Sequence, residues 1–204
     1  MSTTSPGSIR PGGRTLRVAS AVFEGTLSVL AEQGYSGLSI ERIAERSGVN
    51  KTTIYRRWQS KDAVLAAALD NKAADVFPIP STESISDDLR AFARALADFL
   101  TDDSPSIAGV QRALFSDAAR EPLIAEIKRD FFTRRHEAAA SMVDAAIDRG
   151  ELPGDVDSRE LVGLVAAQLY YRRLATGETI DHAVADRAAA TALIAVQAGA
   201  CRRR

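Results

Sequence analysis

The stretch GLSIERIAERSGVNKTTIYRRWQSKDAVL, Gly37 to Leu65, decides how the chain reads. Ser39 stands where a helix N-cap belongs, and the run Ile40–Arg46 behind it places Ile40, Ile43 and Ala44 at helical spacing. Gly48 breaks that helix, Asn50 caps another from Lys51 to Arg57 or Trp58, and Ser60 opens a further one at Lys61. Two short helices joined by Ser47-Gly48-Val49-Asn50 make a helix-turn-helix. Ile40, Ile43, Ala44, Val49 and Ile54 are placed to lock its crossing angle. The second helix then turns Lys51, Thr52, Thr53, Tyr55, Arg56 and Arg57 to solvent. These groups suit a major groove: Lys and Arg meet guanine edges or phosphates, threonine methyls meet thymine, and a phenol reaches phosphate. A helical hairpin inside an ordinary core is the competing reading.

Outward from this stretch the chain stays helical. Upstream, Arg14–Gln33 carries Leu16, Ala19, Phe23, Leu27 and Leu30 on one stripe, and Gly34 stops it. Downstream, a helix runs from Lys61 towards Phe77, ended by Pro78 and Pro80. Five more follow, at about 84–100, 105–119, 122–149, 158–175 and 181–200. The expected fold is all-α with about nine helices. A Ser/Thr/Gly/Pro-rich arm at 1–13, expected to be disordered, precedes a three-helix head at 14–60 and a helical domain at 61–204. Arg202-Arg203-Arg204 reads as a frayed tail.

Composition narrows the function. The 204 residues are 46% hydrophobic and 26% charged, the balance of a globular protein with a sizeable core. The single cysteine, Cys201, excludes an internal disulfide and a Cys-based zinc site, and His136 and His182 are too few for a His cluster. His136, between Arg135 and Glu137, reads as a surface residue. Neither a nucleophile motif nor a phosphate-cradling glycine loop occurs, so no enzyme, cofactor or metal is expected. The start lacks the apolar segment of a secretory signal, and no 18-residue uncharged apolar run exists, so the expectation is a cytoplasmic protein without a membrane span. The net charge of −1 conceals an asymmetry. Residues 1–61 hold nine Lys/Arg against four Glu, an excess of +5, and the remaining 17 bases and 23 acids give −6. A basic front of this kind suits a polyanion.

Ser39 before Ile43-Ala44, Gly48-Val49, Ile54-Tyr55 and Ser60-Lys61 resemble the DNA-binding region of TetR-family transcriptional regulators. The likeness covers about residues 14–75. Tyr170-Tyr171-Arg172 and Thr176-Gly177-Glu178 resemble a C-terminal subgroup of that family common in actinobacteria. The resemblance implies a ligand-responsive regulator, most often a repressor, that binds double-stranded DNA as a homodimer on a palindromic operator. It gives Ser39 a capping and phosphate-binding role, Lys51 and Thr52 base edges, and Tyr55 and Arg57 the backbone. Lys61 would hold a phosphate at a helix N-terminus. Glu41 departs from the family's usual basic residue, with Arg42 beside it instead. Trp58 replaces the more usual phenylalanine and is expected to pack under the head. Arg10 and Arg14 could enter the minor groove as an arm.

The family also pairs its last two helices across a twofold axis. That assigns Leu161, Val165, Gln168 and Arg172 on the eighth helix and Ala188, Ala192 and Ala195 on the ninth to a dimer interface. The other reading of these stripes is that they close the monomer core. The middle helices could surround an unknown small-molecule effector with Phe92, Phe99, Phe115, Phe131, Met142 and Tyr170, although each aromatic alone suits ordinary core. The rival function is a helical small-molecule-binding or interaction protein without a DNA role.

Overall fold

Side-chain caps set most helix starts. Ser39 Oγ accepts from the Arg42 amide at 3.3 Å, Asn50 Oδ1 from Thr52 at 2.8 Å and Ser60 Oγ from Ala63 at 3.1 Å. Asp157 takes the amides of Arg159 and Glu160 at 3.0 Å, and Asp181 that of Val184 at 2.8 Å. Pro105 and Pro122 open their helices, where a missing amide costs nothing. In the computed structural model, which describes residues 12–203, these signals delimit nine α-helices among the described residues. They are α1 Gly12–Gln33, α2 Ile40–Ser47, α3 Lys51–Trp58, α4 Lys61–Val76, α5 Ile85–Thr101, α6 Pro105–Phe115, α7 Pro122–Asp148, α8 Ser158–Tyr170 and α9 His182–Gln197. None of them is long and apolar enough to cross a membrane.

Three expectations about the elements change. α6 stops at Phe115 and a short 3-10 turn, Asp117–Ala119, follows it. α8 loses α geometry after Tyr170 and continues as a π turn, Tyr171–Thr176, until Gly177 ends it. The tail is held as far as Arg203, with Arg204 outside the described residues: the Asp157 amide donates to Cys201 O and the Arg203 amide to Asp155 O, both at 2.7 Å. Cys201 is thereby buried, and burial pushes its thiol pKa up, away from reactivity. The arm read at residues 1–13 lies outside the described residues except for Gly12 and Gly13, which open α1. Arg10 and the Arg14 side chain lie outside them as well.

One apolar core runs without a break from Val22 to Cys201. Under the head it joins Val22, Leu27 and Leu30 of α1 to Ile40 and Ile43 of α2, Ile54 of α3 and Val64 and Leu65 of α4. Leu16, 70% exposed, falls off this stripe, and Val22 and Thr26 take the inner positions. The Thr26 hydroxyl donates to Val22 O at 2.7 Å and so enters the core satisfied.

The head is docked on the body chiefly through α1 and α6. Gly109 makes this possible, because a Cβ there would stand 2.3 Å from the Leu27 carbonyl oxygen. The approach is reinforced by Arg112 Nη1, which donates to Ala31 O at 3.1 Å, and by Asp117, which accepts from the Tyr35 amide at 2.8 Å. Gly109→Ala must therefore push two helices apart. We expect a loss of about 1–3 kcal/mol and a thermal midpoint lower by roughly 2–12 °C, read from a circular-dichroism melt. An unchanged midpoint would show that the α1–α6 crossing has slack.

Small side chains bring α9 onto α5 and α8: Ala185, Ala188, Ala189 and Ala192 are all buried. Four of the seven residues expected at a dimer interface face inward in the single chain: Leu161 and Val165 of α8 and Ala188 and Ala192 of α9 are buried in its core. Gln168 is half-buried and donates to Leu164 O and Ala188 O at 3.4 Å. Arg172 pairs with Glu178 at 2.6 Å, and Ala195 is half-buried. The apolar groups turned outward are others: Tyr171, 64% exposed, Leu174, 51%, and Ile194, 65%.

Candidate nucleic-acid interface

α3 is fixed at both ends and along its inner side. Asn50 caps its start, and at its end the Gln59 amide donates to Tyr55 O at 2.9 Å with Gln59 in the left-handed region, φ 66°. Ile54 is fully buried. The turn before it depends on Gly48, whose φ of 68° an L side chain rarely adopts. Trp58 packs edge-on against Phe23 of α1, ring centres 5.6 Å apart, as the aromatic prop under the head.

With Ile54 inward, helical periodicity turns Thr52, Tyr55 and Arg56 away from the core, and Lys51, in the first turn, is exposed beside them. Tyr55 keeps 46% of its surface exposed although it is large and apolar. Lys51 and Arg56 form no ion pair among the described residues, so their charges stay available to an external anion. Thr53 is half-buried beside them. Arg57 is exposed but already positioned: its Nη1 donates to Thr15 O at 3.2 Å and its guanidinium lies 4.8 Å from the Trp58 ring centre.

The flanking sequence-predicted residues border this face. Ser39 uses its hydroxyl oxygen on the Arg42 amide, which holds the start of α2. The Arg42 side chain donates to Gly37 O at 2.8 Å and to Gln33 Oε1, and so braces the turn between α1 and α2. Lys61 Nζ sits 4.0 Å from the Tyr35 ring centre at the start of α4. Burial, with the Tyr35 hydroxyl donating to Asp62 at 2.6 Å, raises the phenol pKa well above its usual range, so the ring remains neutral beneath the ammonium. Arg46, the other cation of α2, is taken by Glu32 at 2.5 Å, and that hydrogen bond holds the Glu32 carboxyl below its ordinary value.

A second feature lies in the body. α4, α5, α7 and α8 enclose a cavity of about 30 Å³, lined chiefly by aromatic rings. Of the six residues expected there, Phe92, Phe99, Phe131 and Tyr170 line it. Two do not. Phe115 sits outside, 5.8 Å ring to ring from Tyr170, and Met142 is buried core elsewhere on α7. Seven wall residues lie outside the expected six: Ala73, Phe77, Leu96, Phe132, Arg135, His136 and Ala166. His136 is half-buried against the cavity, which corrects its reading as a surface residue. Burial, and then the charge of Arg159, lower its pKa, so at neutral pH it is an uncharged polar group. Phe131 to Arg135 and Phe132 to His136 are i, i+4 pairs; that spacing was the available signal for both.

The geometry of the head and the matches of the chain agree. Residues 22–68 match the model for bacterial regulatory proteins of the tetR family, and residues 79–192 match that for the tetracyclin repressor-like C-terminal domain. The chain belongs to the TetR family of transcriptional regulators. Its relatives include the HTH-type transcriptional regulator YdeS of Bacillus subtilis, 30% identical over 161 residues, which are 79% of this chain and 80% of that one. The DNA-binding transcriptional repressor TetR of Mycobacteroides abscessus is 32% identical over 81% of this chain and 86% of its own. Among solved structures, the TetR family transcription regulator SCO0332 superposes with a TM-score of 0.70 at 28% identity, over 88% of this chain and 98% of that one. The chain is thus a DNA-binding transcriptional regulator of a family in which a ligand-responsive repressor is the typical role.

Proposed function

We propose that the protein is a homodimeric cytoplasmic repressor that binds a roughly palindromic operator and releases it when a small molecule occupies the cavity between α4, α5, α7 and α8. The observation that carries this reading is the solvent-exposed set on α3, Lys51, Thr52, Tyr55 and Arg56, on a helix anchored to the core by Ile54. In the groove, Lys51 and Thr52 address base edges and Thr53 lies beside them. Tyr55, Arg56 and Arg57 reach the phosphates. Arg42 and Ser39 steady the edge of α2, and Lys61 meets a phosphate at the start of α4.

The dimer forms on the outward sides of α8, its π turn and α9, centred on Tyr171 and Ile194 with Leu174 at the edge. Exposed large apolar side chains on two adjacent helices support this choice. A twofold axis there presents two α3 helices to two half-sites. α4 carries Ala73 and Phe77 in the cavity wall and Lys61 at the head, so a ligand that favours one arrangement of α4 changes the spacing of the heads.

Titration of duplex DNA at several salt concentrations tests the reading. Affinity should fall linearly with the logarithm of salt, and Lys61→Ala should lower the slope by about one for each lysine removed, about two per dimer. A salt-independent weak interaction would leave a helical small-molecule binder without a DNA role.

A further inference from the structure

We propose that the cavity selects an apolar molecule carrying one anionic group, such as an aromatic or aliphatic carboxylate, and that Arg135 receives the charge. This rests on the reading of the cavity as the effector site and names the chemistry of the effector.

Among the described residues, Arg135 is the one charged group in the cavity wall. Its guanidinium lies 4.7 Å from the Phe77 ring centre, and its Nη2 donates to the Phe77 carbonyl oxygen at the end of α4. Its Nε is buried and makes no hydrogen bond to the protein. A buried donor left without an acceptor is rare and costly. Burial holds the guanidinium pKa below its ordinary value, and the charge of Asp70 offsets that cost only in part.

Among the described residues that line the cavity none is an acid, and Asp70 of α4 acts on Arg135 only from outside the wall. α4 contributes Ala73 and Phe77, α5 contributes Phe92, Leu96 and Phe99, and α8 contributes Ala166 and Tyr170, all without an acid. The neighbouring carboxylates are engaged: Asp70 pairs with Arg134 at 2.9 Å, and Glu137 with Arg159. His136, uncharged, offers a hydrogen bond and no compensation. A ligand carboxylate would therefore complete a charge-assisted pair with Arg135 among aromatic rings. A ligand cation would place a second positive charge in the same apolar space.

Size gives a second constraint. About 30 Å³ holds a water molecule and not an organic effector. Phe132 and Tyr170 separate the cavity from a surface groove of about 360 Å³, whose wall carries Lys128 and no acid. Turning those two rings joins the spaces into the size range of small-molecule sites, and Lys128 favours the approach of an anion.

Calorimetric titration of the full-length protein with matched probes decides the matter. 2-Naphthoate and octanoate are compared with their primary amides and with the corresponding primary ammonium ions. At least one carboxylate should bind about tenfold or more tighter than its amide, and neither ammonium ion should bind. Arg135→Met should bring the carboxylate down to the level of the amide, and Arg135→Lys should keep part of the preference. Should Arg135→Met fail to fold, the wild-type comparison and Arg135→Lys still decide. Amide binding as tight as carboxylate, weakened by Ala166→Trp, would overturn the charge selection and leave the cavity as the effector site. No binding of any probe would overturn both.

Discussion

Tyr171→Asp combined with Ile194→Asp should convert the protein into a folded monomer whose operator affinity is lower by roughly 10²–10⁴. Both side chains are largely exposed in the isolated chain, so a carboxylate at either position remains in water and costs the monomer no more than about 0.5 kcal/mol. In an isologous interface each position occurs twice. The double variant thus places four carboxylates where four apolar side chains would meet, and burying an unpaired charge far outweighs a few contacts. Affinity then falls because the second head loses its tether to the first. Sedimentation velocity reads the assembly and a gel-shift titration reads the affinity. A variant still dimeric, with unchanged affinity, would place the interface on another face.

The second large effect separates fold from recognition within one helix. Lys51, Tyr55 and Arg56 replaced together by alanine should lower operator affinity by about 10³-fold or more, and the salt slope should become shallower by about two, since one phosphate-binding cation, Arg56, is lost from each of two heads. Thermal stability should hold, because these side chains are exposed. Ile54→Ala on the same helix should act in reverse. It leaves the DNA-facing groups in place but opens a cavity under α3, at about 2–5 kcal/mol. A triple variant that melted as early as Ile54→Ala would show that the exposed face is structural.

Much of this was legible in the sequence, and the reasons are local. Ser39, Asn50 and Ser60 each cap the helix they precede, and Pro105 and Pro122 open theirs, so most boundaries were set by single residues. The face of α3 was readable because one apolar residue, Ile54, oriented an otherwise polar helix. α8 and α9 offered no such contrast. Leu161, Val165 and Leu169 face inward, but Leu164 and Ala167 make the other side apolar too, so periodicity alone did not tell the core face from the outer one. The demand of α5 for a close-packed neighbour settled which side turned in. The cavity was half legible: aromatic rings announced an apolar wall, while Arg135 sat in a charged run, Arg134-Arg135-His136-Glu137, that looks solvated. Only the packing of α7 against α4 and α8 shows which member of that run is turned inward.

Selection of bound fragments from a random pool of duplex DNA tests most directly the claim that α3 lies in a major groove and is presented twice. The expected result is an enriched inverted repeat whose half-site centres are one helical turn, or a multiple of it, apart. The Lys51→Ala variant should lose preference at one symmetry-related pair of base positions. Enrichment of a single asymmetric half-site, or of no sequence at all, would contradict it.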